Sequence, residues 1–245
     1  MSVYFMTMSE GIPWEAIEAP DEHTAYFSVA GPGHELEDRL RVELTESGLT
    51  ACIADGHWGA GAAETIVAFW AEEPSPDNRD AAVAQTTRLE SMLFERYGKD
   101  AMDPDNDLTP EAAFLAIAVH DQTLYLAGYG DCRLLVVNER QVGLEAPTEP
   151  TCLGAFSHLG LRGRQPINEA LLFRCLPLIA GDSIALFTDG LDEWGHDGRP
   201  SLSPTEIAAQ FGTNAPAADI VQRFGNVAFS HNAQDDVSLL VHNPQ

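Results

Sequence analysis

The chain has 245 residues, 44% of them apolar, enough to build a substantial core in one large domain or two small ones. Its 13 Lys and Arg stand against 38 Asp and Glu, and the resulting net charge of −25 repels nucleic acid and anionic membrane surfaces, so neither is an expected partner. No apolar run approaches the roughly 20 residues of a membrane-spanning helix, and the N-terminus lacks the basic and apolar regions of a signal peptide, which predicts a cytoplasmic protein.

Residues 1–23 are acidic, contain Pro13 and Pro20 and show no sustained period. They read as an N-terminal arm, with the domain proper over 24–245. "TAYFSVA", "RLRVELTE" and "LTACIAD" are strand-like, and Ser47-Gly48 between the last two predicts a hairpin. The period then lengthens. "AGAAETIVAFWAEE" and "RDAAVAQTTRLESMLFERY" carry apolar residues at three- and four-residue spacing, broken by "EPSPDN", and predict two successive helices. Strands follow in "AAFLAIAVH", "TLYLAGYG" and "CRLLVVN", joined by short polar turns. Residues 145–170, with three prolines and three glycines, read as a long loop or flap. "SIALFTDG" is a buried strand, Ser203 and Glu206 form a capping box opening a short helix, another helix covers "APAADIVQRFGNVAFS", and "DVSLLVH" is a last strand. Hairpin-clustered strands and sequential helix pairs predict α+β architecture, with mainly antiparallel sheets and helices layered outside.

Four cysteines, Cys52, Cys132, Cys152 and Cys175, are scattered without a Cys-x-x-Cys pair and read as reduced and mostly buried. Cys132 and Cys152 have no His or cationic neighbour in sequence and are poor nucleophile candidates. The acidic "DPDNDL" (103–108) lacks the glycine and closing glutamate of a calcium loop and reads as solvated.

Five aspartates share one context, the end or beginning of a strand-like run: Asp38 before "RLRVEL", Asp55 after "ACIA", Asp131 before "CRLLVV", Asp189 after "IALFT" and Asp235 before "VSLLV". Any one of them alone is as well explained as a turn-former or strand cap. Together, carboxylates gathered at a sheet edge need a cation to remain ionised, which predicts a metal site. Oxygen-only ligation favours Mg²⁺ or Mn²⁺ over Zn²⁺, and the histidines show no His-Glu-x-x-His pattern.

In order along the chain stand "ELEDR", "ADGHWG", "GYGDCR", "LFTDGLDEW" and "AQDDVSLLV". In type, order and spacing these motifs resemble those of the PPM (PP2C-type) metal-dependent serine/threonine phosphatases, over roughly residues 25–242. The resemblance implies a four-layer α-β-β-α sandwich with two mainly antiparallel sheets flanked by helix pairs. It implies two Mg²⁺ or Mn²⁺ ions, with Asp55 bridging them, the Gly56 carbonyl on one, Asp189 and Asp235 completing the other, and Asp38 bound directly or through water. Asp131 corresponds to the ligand of a third, looser ion. His57 falls where the family places its general acid, although a turn histidine bonded to backbone is the plain alternative. The implied activity is hydrolysis of phosphoserine and phosphothreonine in proteins by an activated water, opposing a serine/threonine kinase.

The sequence departs from the family pattern in three places. The arginine that many members carry five residues before the Asp of the Glu-Asp pair is Gly33 here, leaving His34, Arg39, Arg162 and Arg164 as candidates for holding the substrate phosphate. Trp58 replaces a glycine and reads as packing over the following helix, the alternative being that it narrows the cleft beside the metals; Cys132 replaces a serine. Asp192 and Glu193 read as capping or flanking a helix. The missing arginine also admits a second reading, a catalytically weak or inactive pseudophosphatase acting as a regulatory binding module. A third is a small-molecule phosphatase of the same fold.

Overall fold

Two sets of hairpin-forming strands build two antiparallel sheets, each with helices on one of its faces. The computed structural model describes residues 16–33, 35–45, 48–103, 105, 108–138, 142–145, 152–158, 166–192, 202–211, 215–230 and 233–244. The chain divides into two compact units, each discontinuous in sequence: Met1–Asp38 with Arg133–Glu145 and Ile179–Gln245, and Arg39–Cys132 with Ala146–Leu178.

In the first unit, β1 (Thr24–Val29), β6 (Arg133–Val137), β7 (Val142–Glu145), β10 (Ser183–Phe187) and β11 (Val237–His242) form a sheet in the order β1-β11-β10-β6-β7. Alternation along each strand places Phe27, Leu135, Phe187 and Leu239 on one face. There they pack against Ile220, Val221 and Phe224 of α6 (Ala217–Ser230) and Ile207 of α5 (Pro204–Ala208). The predicted capping box of α5 is present: Ser203 Oγ accepts from the Glu206 N–H, and Glu206 Oε2 accepts from the Ser203 N–H at 2.8 Å.

In the second unit, β2 (Arg39–Thr45), β3 (Gly48–His57), β4 (Glu111–His120), β5 (Thr123–Tyr129) and β9 (Leu172–Pro177) follow one another in the sheet, with β8 (Leu153–Gly154) pairing β4. Cys52, Ala54, Phe114, Ala116 and Tyr129 face α1 (Gly61–Glu72) and α2 (Arg79–Ala101), whose Ile66, Phe69, Leu89 and Leu93 complete that core. Helix α2 starts where its sequence says it should, because Asn78 Oδ1 accepts the Ala81 N–H at 2.9 Å. The β4–β5 hairpin turns through Asp121 and Gln122, both left-handed at φ 47° and 59°, which is the signature of a type I′ turn.

Three readings need correction. β7 and β9, the outermost strands of their sheets, were not expected: "VGLE" and "LFRCLP" leave most of their side chains exposed, so neither shows the apolar alternation that marks a strand. Residues 145–170 are not all loop, since β8, α3 (Ala155–His158) and α4 (Ile167–Ala170) lie within them. Cys175 is exposed on β9, so two of the four free cysteines, Cys52 and Cys132, are fully buried. No helix among the described residues is long and apolar enough to cross a membrane.

His242 closes β11, nearly buried, with its Nδ1 3.0 Å from the Thr24 hydroxyl. Burial lowers its pKa from 6.5 to about 4; Asp21 opposes the shift and His23 adds to it. Below about pH 6.5 the unfolded chain takes up a proton that the folded chain refuses, so stability should fall as pH drops from 6.5 towards 4, by up to about 3 kcal/mol. Urea titrations across that range should show the decline in the wild type and a shallower one in His242→Gln.

Candidate metal centre

In the first unit a network of carboxylates surrounds the start of β11. Asp236 is 3% exposed, and its two oxygens accept backbone N–H groups of Gly31 (2.8 Å), Glu37 (2.5 Å) and Asp38 (3.2 Å). It fixes the loop between β1 and β2 to the sheet and leaves the Asp38 carboxyl, 1% exposed, facing the turn after β10. There Asp38 Oδ2 accepts from the Thr188 hydroxyl at 2.8 Å, and Thr188 Oγ1 in turn accepts the Ser238 N–H at 3.0 Å. Asp189 opens a single 3-10 turn, Asp189–Leu191, and is half-buried, as is Asp235. The turn comes so close to β11 that a Cβ on Gly190 would stand 1.9 Å from the Asp236 carbonyl oxygen, so only glycine fits.

Burial pushes the Asp38 carboxyl well above the ordinary carboxylate range, and the charge of Asp236 pushes the same way. Hydrogen bonds from Thr188 and Ser238 oppose the shift, and Asp189 adds to it. A buried carboxyl among like charges holds a proton until a cation replaces it, so this environment fits a divalent ion. The described side chains do not by themselves gather three or more His, Cys, Asp or Glu groups into a preformed metal-holding cluster. Asp236 already has hydrogen bonds at both oxygens, which suits it to holding the loop rather than a metal.

The second unit carries the "ADGH" motif. β3 pairs with β4 without interruption from Gly48↔His120 to His57↔Glu111. Cys52 and Ala54 face the helices, so Asp55 and His57 project from the opposite face of the sheet. Asp55 is 5% exposed opposite the small Ala113, and Gly56 is buried opposite Ala112. His57 is half-buried, with its Nδ1 3.5 Å from Cys152 Sγ. The thiol that has no His neighbour in sequence thus has one in space. Asp131 lies between β5 and β6, half-buried.

Of the phosphate-holding candidates, Arg39 is engaged by Glu64 of α1, with Nη2 donating at 2.8 Å and Nε at 3.3 Å. His34, Arg162 and Arg164 lie outside the described residues. Gly33, at the position of the family's arginine, is left-handed at φ 89°, a conformation in which an arginine would be strained. Trp58 is 50% exposed and left-handed at φ 62°, a backbone conformation that suits the glycine it replaces. Asp192 closes the 3-10 turn as expected, its N–H donating to the Asp189 carbonyl at 2.9 Å, and its carboxylate forms a buried ion pair with Arg133; Glu193 lies outside the described residues. Sequence reading passed over Asp236, Thr188 and the Arg133–Asp192 pair. The only signal for Asp236 was its neighbour, since two adjacent aspartates before a buried strand leave one of them to satisfy backbone.

The chain has the fold of bacterial serine/threonine phosphatases. A bacterial serine phosphatase superposes with a TM-score of 0.67 at 16% identity, over 92% of this chain and 98% of that one. The Mycobacterium tuberculosis serine/threonine phosphatase PstP/Ppp gives 0.65 at 18% identity, over 91% and 98%. The catalytic domain of the serine/threonine protein phosphatase PstP, solved in complex with two manganese ions, gives 0.64 at 19% identity, over 90% and 96%. No protein-family model matches the sequence, and no curated protein matches it.

Two substitutions test this local architecture by stability alone. Asp236→Ala strands several buried N–H groups and should cost about 3 kcal/mol, read as a lower urea midpoint. Trp58→Gly releases a left-handed non-glycine residue and should gain about 1 kcal/mol with an unchanged denaturant slope.

Proposed function

We propose that the protein is a metal-dependent phosphatase that hydrolyses phosphoserine and phosphothreonine in proteins. The observation that carries this reading is the buried carboxyl of Asp38, held among Asp236 and Asp189 in a fold shared with phosphatases, one of them solved with two manganese ions. Asp38, Asp55, the Gly56 carbonyl, Asp131, Asp189 and Asp235 are the proposed ligands of two Mg²⁺ or Mn²⁺ ions and a third, looser one. Such ions, when bound, acidify water and offset the charge of the phosphoryl oxygens.

The remaining work falls to the chain. Asp236 and Thr188 hold Asp38 in place, and the β3–β4 ladder aims Asp55 and His57 from one face of the sheet. As a water oxygen bonds to phosphorus, the bond to the seryl or threonyl oxygen breaks with its electron pair on that oxygen. His57 supplies the proton that oxygen takes up, water's own proton passes to solvent, and free phosphate leaves. The substrates are phosphoproteins, placing the enzyme opposite a serine/threonine kinase. Locations and partners beyond this are read from charge: a chain of −25 favours neither nucleic acid nor anionic membrane, and a cytoplasmic setting accords with that.

A second reading, a regulatory module that has lost turnover, is favoured by two observations: Gly33 stands where the family's arginine would be, and Arg39 is taken by Glu64. One experiment separates them. With Mn²⁺ the purified chain should hydrolyse 4-nitrophenyl phosphate and a phosphoserine peptide, lose both activities to a chelator, and lose at least about 100-fold in kcat as Asp189→Asn. Calorimetric Mn²⁺ binding without turnover would instead establish the binding module.

A further inference from the structure

In the second unit, pairing of β3, β4 and β5 lines up side chains in rows across the face of the sheet that carries α1 and α2. One row reads Ala54, Phe114 and Tyr129, whose rings fill the space beneath the helices. The next reads Cys52, Ala116 and Ala127, and beyond it Thr50 stands opposite Ala118. Here the side chains are small and no helix lies over them: α1 ends at Glu72, α2 begins at Arg79, and a connection containing Pro74 and Pro76 bridges the two. The result is an open hollow with about 460 Å³ of empty space, its solvent mouth included. It lies on the side of the sheet away from Asp55 and His57.

Trp70, near the end of α1, lines this hollow and is 8% exposed. Its ring is fixed edge-on to Phe69 at 5.6 Å and tilted over Phe114 at 5.8 Å, yet its buried Nε1–H has no hydrogen-bond partner among the described residues. An indole N–H donates and cannot accept, so leaving it buried and unpaired is costly, and the hollow is the route by which an acceptor can reach it. The charges in the wall cancel. Arg41 and Glu43 line the hollow two residues apart on β2, and Glu73 is paired with Arg88 at 2.6 Å. A polyanion would therefore find little to hold it, and a cation no more. We propose that the hollow is a binding site for a small uncharged ring compound bearing a carbonyl group, with its rings on the floor of small residues and its oxygen accepting from Trp70 Nε1–H. This site is separate from the proposed metal centre and does not depend on the phosphatase reading.

The test uses the full chain, ¹⁵N-labelled, with 1-indanone as the probe. 1-Aminoindane, the same rings bearing an ammonium donor, is the control. The four tryptophans of the chain give four indole N–H signals. 1-Indanone should move the Trp70 signal downfield and saturably, with a Kd at or below about 1 mM, and leave that of the exposed Trp58 in place. 1-Aminoindane, which offers no acceptor, should bind at least about 10-fold more weakly. Ala116→Leu fills the floor and should weaken 1-indanone at least about 10-fold. Ser75→Phe, in the connection that lines the hollow, should weaken it at least about threefold and carries the blocking test if Ala116→Leu does not fold. If the Trp70 signal shows no saturable movement up to about 20 mM 1-indanone, water alone fills the hollow and the proposal is overturned. Equal binding of the two probes, or undiminished binding of 1-indanone in the folded variants, would overturn it as well.

Discussion

A buried carboxylate that accepts main-chain donors organises the first unit around its proposed metal ligands. Asp236 takes N–H groups from Gly31, Glu37 and Asp38, three residues more than 190 positions away in sequence, and so ties an irregular loop to a strand end. Asp236 in turn disfavours charge on Asp38. The two buried acids therefore have different surroundings: one gives its oxygens to main-chain donors and holds the loop, the other lies among like charges where a cation would fit. Gly190 belongs to the same device, because only a residue without Cβ lets the Asp189 turn lie against the Asp236 backbone.

The use of cations elsewhere sharpens the point. The chain has 13 Lys and Arg for 38 Asp and Glu, and the arginines described in the structure are largely committed: Arg39 to Glu64, Arg88 to Glu73, Arg133 to Asp192, and Arg79 to the carbonyls of Asn168 and Leu171. Among the described residues, a phosphoryl group would find few uncommitted side-chain cations to meet it. In the proposed reaction bound divalent ions would supply positive charge that this acidic chain has little of, so the charge inventory points the same way as the motifs.

How much of this was legible in the sequence follows from what each feature leaves as a pattern. Buried strands such as "AAFLAIAVH" and the period-shifted helices announce themselves through apolar spacing, and the cap at Ser203 through a fixed three-residue offset. The five strand-end aspartates were visible because each interrupts an apolar run. The edge strands β7 and β9 were not, since exposed residues carry no alternation. Asp236 looked like a spare copy of Asp235, and its role depends on a loop some 200 residues earlier. Nor did Trp58 announce its left-handed backbone, because sequence shows a side chain's bulk and not its φ. The Cys152–His57 contact depends on β8, a two-residue strand placed by its partner β4 rather than by any propensity of its own.

That dependence on β4 also explains how the second unit holds Asp55 and His57, the proposed ligand and proton donor, at a strand end. Asp55 and His57 lie two residues apart, so they share a face only while β3 stays extended to its last residue, and a one-residue slip would turn both towards the helices. Ten consecutive pairs with β4 prevent that slip, and the apolar run from Ala51 to Ala54, buried on both faces, gives the register its energy. The same β4 positions β8 and hence Cys152, so carboxylate, imidazole and thiol are all indexed to a single strand. A displacement of β4 would move them together, preserving their mutual geometry, which is the condition His57 needs if it is the proton donor proposed above.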